Sequence, residues 1–178
     1  GVAHAVAMVN GTAALEVALR VAGVGPNTEV LLPSLTFVAT PNAVSHLNAV
    51  PHFVDVNQHT LGIDPAALLQ HLNQVGESKA GRLFNRETGR PISAIVPVHV
   101  FGHPMAMDEL IEVADTFGIA VVEDAAEALG SQYKGRQCAS MGLLGASSFN
   151  GNKIITTGEG GVILTNSLKL KKKMYELK

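Results

Sequence analysis

The stretch SSFNGNKIITTGEGG, residues 147–161, places one lysine, Lys153, in a polar turn that contains glycines. Apolar runs at 143–149 and 162–164 flank this turn, so we expect two buried strands with Lys153 between them. A lysine at a loop tip is ordinarily solvated. Burial, however, lowers the pKa of an ammonium group, and a partly neutral amine can form a Schiff base. The rest of the chain decides between these two interpretations.

The composition is that of one folded domain with a sizeable core. Of the 178 residues, 47% are hydrophobic and 16% are charged, which excludes a disordered chain. The formal net charge of −2 gives no reason to expect nucleic acid or an anionic membrane as a partner. No apolar run reaches the length of roughly 18 residues that a transmembrane helix requires.

The cysteine and histidine content limits the chemistry further. Cys138 is the single cysteine and cannot form an internal disulfide, which predicts a reducing, cytoplasmic environment. The seven histidines have no metal-ligand spacing such as His-Glu-x-x-His, so no metal site is expected. The chain starts without Met and stops within a helical pattern. We therefore expect residues 1–178 to be one domain of a longer protein.

Strand-like and helix-like segments alternate from residue 4 to about residue 122. Predicted strands lie at 4–9, 29–32, 50–56, 92–98 and 119–122, and predicted helices lie at 13–22, 36–47, 64–74 and 107–117. Residues 76–91 are polar and charged and are expected to form a surface excursion, and a last helix starts at Asn166 or Ser167. The alternation predicts an α/β fold whose mainly parallel sheet has helices on both faces.

Polar residues follow the predicted strands at the points where the strands end. Gly11 and Thr12 lie between a strand and a helix, where free N–H groups and the helix dipole favour a phosphate. Thr12 also fits the simpler role of helix N-cap. Asp124 directly follows an apolar strand and needs a cationic or hydrogen-bonding partner there. Because ligands bind at the carboxyl ends of parallel strands, we expect these residues to meet Lys153.

Together, these groups match what pyridoxal phosphate requires. Lys153 supplies the amine for a Schiff base, and Asp124 supplies a carboxylate that keeps the pyridine nitrogen protonated. Helix-start amides and the hydroxyls of Thr12 and Ser148 are suited to the phosphate. Phe37 offers a flat face for the ring, although its spacing fits a core aromatic residue equally well.

Two nucleotide-binding motifs are excluded. A P-loop requires G-x-x-x-x-G-K-[ST], but here Asn152 separates Gly151 from Lys153, and Ile154 stands where a hydroxyl residue is required. A dinucleotide fingerprint requires G-x-G-x-x-G before a helix, whereas residues 158–161 lack that spacing and precede a strand.

Five segments in order resemble the DegT/DnrJ/EryC1/StrS family, pyridoxal-phosphate enzymes that aminate keto groups on nucleotide-linked sugars. The segments are NGTAAL (10–15), PSLTFVAT with the following NA pair (33–43), PVHVFG (97–102), EDAAE (123–127) and SFNGNK with GEGG (148–161). The resemblance implies an α/β, three-layer, fold-type I aminotransferase large domain. The family's C-terminal small domain would be absent from this chain.

The resemblance also implies roles for single positions. Lys153 would be the catalytic lysine, Asp124 would pair with the pyridine nitrogen, and Phe37 would lie against the ring. Glu127 occupies the position of a polar residue near the cofactor, and His99 is expected to be a structural histidine. The residues expected at the phosphate are Gly11, Thr12, Ala13 and Ser148.

The function implied by this resemblance is ping-pong transamination of a nucleotide-linked keto sugar for bacterial surface glycans, with glutamate as donor, in a homodimer. Residues 84–90 and 99–103 are most similar to the branch acting on 4-keto-6-deoxy UDP-sugars in bacillosamine and legionaminic-acid pathways. The perosamine-type branch, which uses a GDP-linked sugar, is next. Family dehydratases carry histidine in place of the lysine, so Lys153 favours transamination. A non-catalytic regulator that keeps the cofactor is a further alternative.

Overall fold

The computed structural model describes residues 1–177, which form one seven-stranded sheet, two short hairpins and five α-helices. The strands are β1 (His4–Met8), β2 (Glu29–Pro33), β3 (Val50–Val54), β4 (Gly76–Lys79), β5 (Arg82–Asn85), β6 (Ile92–Ile95), β7 (Ala120–Asp124), β8 (Gln132–Tyr133), β9 (Arg136–Gln137), β10 (Leu144–Ser148) and β11 (Gly161–Thr165). The helices are α1 (Gly11–Ala22), α2 (Ala39–His46), α3 (Pro65–Val75), α4 (Met107–Phe117) and α5 (Leu168–Leu177), and Val100–Gly102 form a 3-10 turn. None of the helices in this described part of the chain has the length and apolar character needed to cross a bilayer.

The large sheet has the strand order β1-β11-β10-β7-β6-β2-β3. Strand β11 runs antiparallel to both of its neighbours, β1 and β10, and every other neighbouring pair is parallel. Six of the seven strands therefore end at the same edge of the sheet. The predicted, mainly parallel sheet is confirmed.

Two apolar cores cover the two faces of this sheet. On one face, α1, α2 and α5 contribute Leu15, Leu19, Val44 and Met174, whose side chains are buried against strand residues. On the other face, α3 and α4 contribute side chains that are also fully or almost fully buried: Leu68, Leu72, Leu110 and Val113. Each such side chain contributes roughly 1.5–3 kcal/mol through burial of apolar surface. The result is the three-layer arrangement expected of this fold class.

Local sequence signals explain where the helices α1 and α3 start and stop. The side chain of Asn10 caps α1 by accepting a hydrogen bond from the Ala13 N–H at 2.8 Å, and Gly23 ends the helix in the left-handed region, at φ 105°. Asp64 caps α3 through the N–H groups of Ala66 and Ala67. The prediction for Asp64 is confirmed, but Thr12 is not the cap of α1.

Some predicted bounds shift in ways that matter for the site. Strand β6 stops at Ile95 rather than at residue 98. Pro97 has no N–H for the ladder, and Val98 forms only an isolated parallel bridge with Asp124. Strand β7 includes Glu123 and Asp124, so both carboxylates lie within the sheet rather than after it. Helix α2 starts at Ala39 rather than at residue 36.

Residues 76–91 lie mainly at the surface, as predicted, but Leu83 and Asn85 among them are buried. They form the β4–β5 hairpin and a turn that packs on the buried carboxylate of Glu29. The side chains of Asn85 and Thr88 donate hydrogen bonds to Glu29, at 3.0 and 2.5 Å, and His52 contacts it at 2.8 Å. Burial raises the pKa of the Glu29 carboxyl, but these hydrogen bonds outweigh burial and hold it below its ordinary value.

Candidate active site

A cavity of about 460 Å³ opens at the edge where the parallel strands end. Strand β1 leads into Gly11 and Thr12, β7 ends at Asp124, and β10 ends at Ser148. Other lining residues come from the segments that follow β2, β6, β7 and β10: Leu35, Thr36, Phe37, Ala39, Thr40, Val98, His99, Val100, Phe101, Ala126, Glu127, Asn150, Asn152, Lys153 and Glu159. Ligands bind at this edge in open parallel sheets.

The start of α1 forms one end of the cavity. The first N–H groups of a helix have no partner within the helix, and the Asn10 cap engages only that of Ala13. The N–H groups of Gly11 and Thr12 therefore lie at the positive end of α1, on the cavity wall. Ala13 is not among the lining residues, and its N–H is taken up by the Asn10 cap.

Gly11 brings this helix start into contact with Ser148. A Cβ added at Gly11 would lie 2.7 Å from the Ser148 Cβ and 3.0 Å from its Oγ, closer than real side chains approach. Glycine is thus required for the two segments to touch. The contact gathers two helix-start amides and the hydroxyls of Thr12 and Ser148, which is a cradle suited to a phosphate.

Asp124 lies across the cavity from this cradle and is almost fully buried. Its Oδ2 accepts a hydrogen bond from the Thr40 hydroxyl at 2.8 Å, and its Oδ1 accepts one from the Ala126 N–H at 3.1 Å. Burial raises the pKa of the Asp124 carboxyl, and these two donors, His99 and Lys153 only partly oppose the rise. Among residues 1–177, Asp124 has no ion-pair partner, and such a buried carboxylate is suited to a cationic ligand group.

Lys153 lies in a closed loop between β10 and β11. Phe149 fastens the loop, because its N–H donates to the Gly160 carbonyl at 2.9 Å and its carbonyl accepts from the Thr157 N–H at 3.0 Å. The Lys153 N–H donates to the Asn150 carbonyl at 3.0 Å, which forms a tight turn. The two flanking strands predicted from the sequence are confirmed.

The Lys153 side chain points into the cavity and is only 14% exposed. Its Nζ is 3.4 Å from Glu127 Oε1, a long and weak ion pair, and 5.9 Å from the centre of the Phe37 ring. The interpretation of Lys153 as an ordinary solvated lysine is therefore wrong. Lys153, Glu127 and Phe37 come together although 26 and 116 residues separate the lysine from the other two.

Phe37 is 72% exposed, so the alternative of a core aromatic residue is wrong. Phe101, also at the cavity, is 73% exposed and has a positive φ of 53°. Side chains other than glycine rarely adopt that backbone conformation. In the sequence, Phe101 is marked only by its position in the loop after a predicted strand, and that position indicates no role.

His99 is a buried histidine beside the cavity, held by the neighbouring strand. Its Nε2 lies 3.0 Å from Glu123 Oε2, and the other oxygen of Glu123 accepts N–H bonds from Met141 and Gly142, each at 2.6 Å. Burial lowers the pKa of His99, but the contacts with Cys138 and Glu123 outweigh it and raise the pKa to about 9. This arrangement agrees with the expected structural histidine.

No pattern in the sequence indicates a role for Thr36 or Thr40. Thr36 donates its hydroxyl to Thr40 at 2.9 Å, and Thr40 donates to Asp124. The one available signal was their spacing of four residues, which places both on one side of a helical turn. Asn150, Asn152 and Glu159 also line the cavity without having been predicted.

The donor set selects among cofactors. Within residues 1–177, no group of three or more histidine, cysteine or acidic side chains is arranged to hold a metal ion. The cavity instead offers an anion cradle, a buried carboxylate, an amine and an exposed aromatic ring. The phosphate, pyridine nitrogen, aldehyde and ring of pyridoxal phosphate have the matching chemistry.

Comparison with known proteins agrees with this donor set. The family model of the DegT/DnrJ/EryC1/StrS aminotransferases matches residues 1–178. The chain belongs to this family. Members of the DegT/DnrJ/EryC1/StrS family depend on pyridoxal phosphate, so the cofactor predicted from the residues is confirmed at the level of the family.

Individual relatives of the DegT/DnrJ/EryC1/StrS family are similar over the whole chain. GDP-perosamine synthase of Caulobacter vibrioides is 43% identical over 178 residues, which are 100% of this chain and 44% of that protein. The aminotransferase from Psychrobacter cryohalolentis is 37% identical with a TM-score of 0.84, over 98% of this chain and 40% of that one. DesI, whose crystal structure was determined in the presence of its TDP-sugar product, is 34% identical in sequence with a TM-score of 0.84. The match covers 99% of this chain and 41% of that one. The chain thus spans less than half the length of these relatives.

Proposed function

We propose that the protein containing this chain transfers an amino group to a keto carbon of a nucleotide-linked sugar, with pyridoxal phosphate as cofactor. The observation that carries the proposal is the meeting of Lys153, Asp124 and the start of α1 in one cavity. The cofactor, when bound, supplies an electron sink for the carbon atom that loses or gains a proton.

Lys153 is the residue we assign to attaching the cofactor and to moving protons. Within the part of the chain that the structure describes, it is the one lysine that lines the cavity, and its side chain is largely shielded from water. The Lys153 amine would accept and return a proton at the reacting carbon, and the cavity would hold it beside that carbon. Glu127, 3.4 Å from Nζ, orients this amine and stabilises its charged form.

Asp124 and the cradle hold the two ends of the cofactor. The buried Asp124 carboxylate pairs with the protonated ring nitrogen, which offsets the unfavourable burial of its charge. Gly11, Thr12 and Ser148 bind the phosphate through N–H and hydroxyl groups. Phe37 covers one face of the ring. Ala13 does not contact the phosphate in this proposal. Its N–H donates to the Asn10 side chain, and this cap holds the start of α1 in place.

The substrate proposal is a 4-keto-6-deoxy sugar on UDP, with glutamate as amino donor, for synthesis of a surface glycan. A GDP-linked sugar is the second candidate, because GDP-perosamine synthase is the 43% identical relative. We also propose a homodimer, in keeping with two exposed aromatic residues at the cavity, Phe37 and Phe101, and with the exposed Ile154 next to Lys153. The cytoplasmic location remains a prediction from the single cysteine.

Two measurements on the full-length protein test this function. Addition of pyridoxal phosphate should produce a visible absorption band, and glutamate should then convert it to the band of the aminated cofactor. Lys153→Ala should abolish both changes, whereas Lys79→Ala, at an exposed hairpin lysine, should leave both unchanged. A cofactor band that does not respond to any amino donor would favour the non-catalytic regulator instead.

The sugar is identified by a substrate panel. The aminated enzyme is mixed with UDP-, GDP- and TDP-linked 4-keto sugars, and the return of the original band is followed for each one. If the original band returns only with the UDP-linked sugar, the proposed UDP substrate is supported. If it returns only with the GDP-linked sugar, the GDP-linked sugar becomes the proposed substrate instead. Consumption of the sugar without amino transfer would identify a dehydratase.

A further inference from the structure

Thr40 makes a buried contact to which the proposed function assigns no role. Its side chain is 1% exposed, and its hydroxyl donates to Asp124 Oδ2 at 2.8 Å from the first turn of α2. Among the described residues 1–177, Thr40 is the one recorded side-chain donor to Asp124, since the other donor is the Ala126 backbone at Oδ1. Helix α2 and strand β7 are therefore joined at the carboxylate.

The direction of this hydrogen bond follows from the chemistry of the two groups. An ionised carboxylate only accepts, so the single proton of the Thr40 hydroxyl points to Asp124. The Thr40 oxygen then accepts the proton of Thr36, whose hydroxyl lies 2.9 Å away. The three groups form a line, Thr36 to Thr40 to Asp124, in which each hydrogen bond polarises the next.

We propose that Thr40 is a positioning residue for the cofactor: its hydroxyl fixes the Asp124 carboxylate in the orientation that receives the ring nitrogen. Thr36 supports it as the second donor in the line. This inference rests on the proposed function, because it requires a cofactor whose ring nitrogen meets Asp124.

The groups around Asp124 explain why the Thr40 hydroxyl is important for keeping the Asp124 carboxyl ionised. Burial raises the pKa of the carboxyl, and the groups that lower it are Thr40, the Ala126 N–H, His99 and Lys153. His99 is engaged by Glu123, and Lys153 lies near Glu127, so neither cation is devoted to Asp124. Without the Thr40 hydroxyl, Oδ2 would be a buried acceptor with no donor, and the pKa of Asp124 would rise further.

The sign of the pH dependence follows directly. As the pH is lowered, a carboxyl with a raised pKa takes up its proton earlier than one with an ordinary pKa. A neutral carboxyl does not form an ion pair with a protonated pyridine. The loss caused by Thr40→Val should therefore be larger at the lower of two pH values, about 6 and about 8.5. A defect in packing alone would be the same at both pH values.

The experiment compares four variants of the full-length protein: Thr40→Val, Thr40→Ser, Thr36→Val and Thr165→Val. Thr165 is a matched control, because it is also buried and its hydroxyl donates to the Leu143 carbonyl, at the end of β11 distant from the cavity. Pyridoxal phosphate is titrated into each apo protein, the dissociation constant is measured at both pH values, and the melting temperature of each apo protein is recorded.

We expect Thr40→Val to raise the dissociation constant about tenfold or more, which is the usual size for loss of a hydrogen bond to a charged group. The ratio to the unmodified protein should be larger at low pH. Thr40→Ser should restore binding, Thr36→Val should have a smaller effect, and Thr165→Val should lower the melting temperature without changing cofactor affinity.

Two results would overturn the inference, and they are distinguishable from each other. If the unmodified protein binds pyridoxal phosphate and Thr40→Val binds it equally well at both pH values, only the role of Thr40 is refuted. If the unmodified protein gives no visible band with the cofactor, the proposed function fails together with the role of Thr40.

Discussion

Substitution of Gly11 by alanine is the sharpest test of the contact between the start of α1 and Ser148. The new Cβ would lie 2.7 Å from the Ser148 Cβ, whereas carbon atoms in contact prefer roughly 3.5–4.0 Å. The helix start must therefore move by about 1 Å, and overpacking of this kind costs about 1–3 kcal/mol. For a chain of this size, each 1 kcal/mol lowers the melting temperature by roughly 2–4 °C. We expect a total decrease of roughly 2–12 °C.

The cofactor titration adds a second readout for Gly11→Ala. Movement of the helix start displaces the N–H groups of Gly11 and Thr12 from the Ser148 hydroxyl, so pyridoxal phosphate should bind more weakly as well. Gly25→Ala is the matched control, since a Cβ at Gly25 meets nothing within 4 Å. That variant should melt and bind the cofactor like the unmodified full-length protein.

A double variant separates the steric effect from the chemical one. Ser148→Gly removes the Cβ with which the alanine collides, so Gly11→Ala combined with Ser148→Gly should recover most of the lost stability. It should not recover cofactor affinity, because the Ser148 hydroxyl is missing. If Gly11→Ala alone melts as high as the unmodified protein and binds the cofactor equally, the helix start does not pack on Ser148 and the described cradle is incorrect.

Three further predictions concern stability. The pKa of His99 is raised from 6.5 to about 9, so its contribution is complete below pH 6.5 and is lost as the pH rises to 9; thermal melts should decline over that range, and His99→Asn should flatten the decline. The pKa of Glu29 is lowered from 4.5 by its hydrogen bonds, so Glu29→Gln should reduce the melting temperature at pH 7, with a difference that shrinks as the pH falls below 4.5. Gly158 has a φ of 83°, so Gly158→Ala should destabilise the Lys153 loop by about 1 kcal/mol. The loss should be visible as faster amide exchange in that loop. Gly151 has no positive φ, so Gly151→Ala should leave amide exchange in the loop unchanged.

The sequence allows the functional groups near strand ends to be predicted, but it does not identify the residues that contact them. Asp124 could be predicted because a charged residue after an apolar run marks a strand end, and Lys153 because a polar turn with glycines separates two apolar runs. The hydrogen bond from Thr40 to Asp124 joins residues 84 apart, and the one from Thr88 to Glu29 joins residues 59 apart. Such pairs follow from the order and register of the strands, which no local pattern encodes.

The hairpin of residues 76–91 illustrates the same limit. Its many charged residues predict exposure, and Glu77 and Lys79 are indeed exposed or half-exposed in an ion pair. Asn85, however, is buried because it satisfies the Glu29 carboxylate on β2. A polar residue can be buried where a partner compensates for the loss of water, and the partner here, Glu29, lies 56 residues earlier in the chain.

Strand β11 explains why the glycines around the lysine loop belong to the site although they bind nothing themselves. Gly161 pairs with Met8 of β1 on one side and with Ser148 of β10 on the other, so it lies between the two strands that carry the cradle. A Cβ at Gly161 would collide with the Asn10 carbonyl and lie 2.9 Å from the Gly11 nitrogen. Glycine at 161 therefore lets the chain leaving β1 fold over β11 and reach β10.

In the neighbouring pair of strands, β10 and β7, Ala146 is level with Asp124, which puts Ser148 two residues, or about 6.6 Å, further along. A register shift of one residue would turn Ser148 to the other face of the sheet. The separation between the cradle and the carboxylate is thus set by strand register, and Lys153 reaches between them because its loop starts from the end of the same strand.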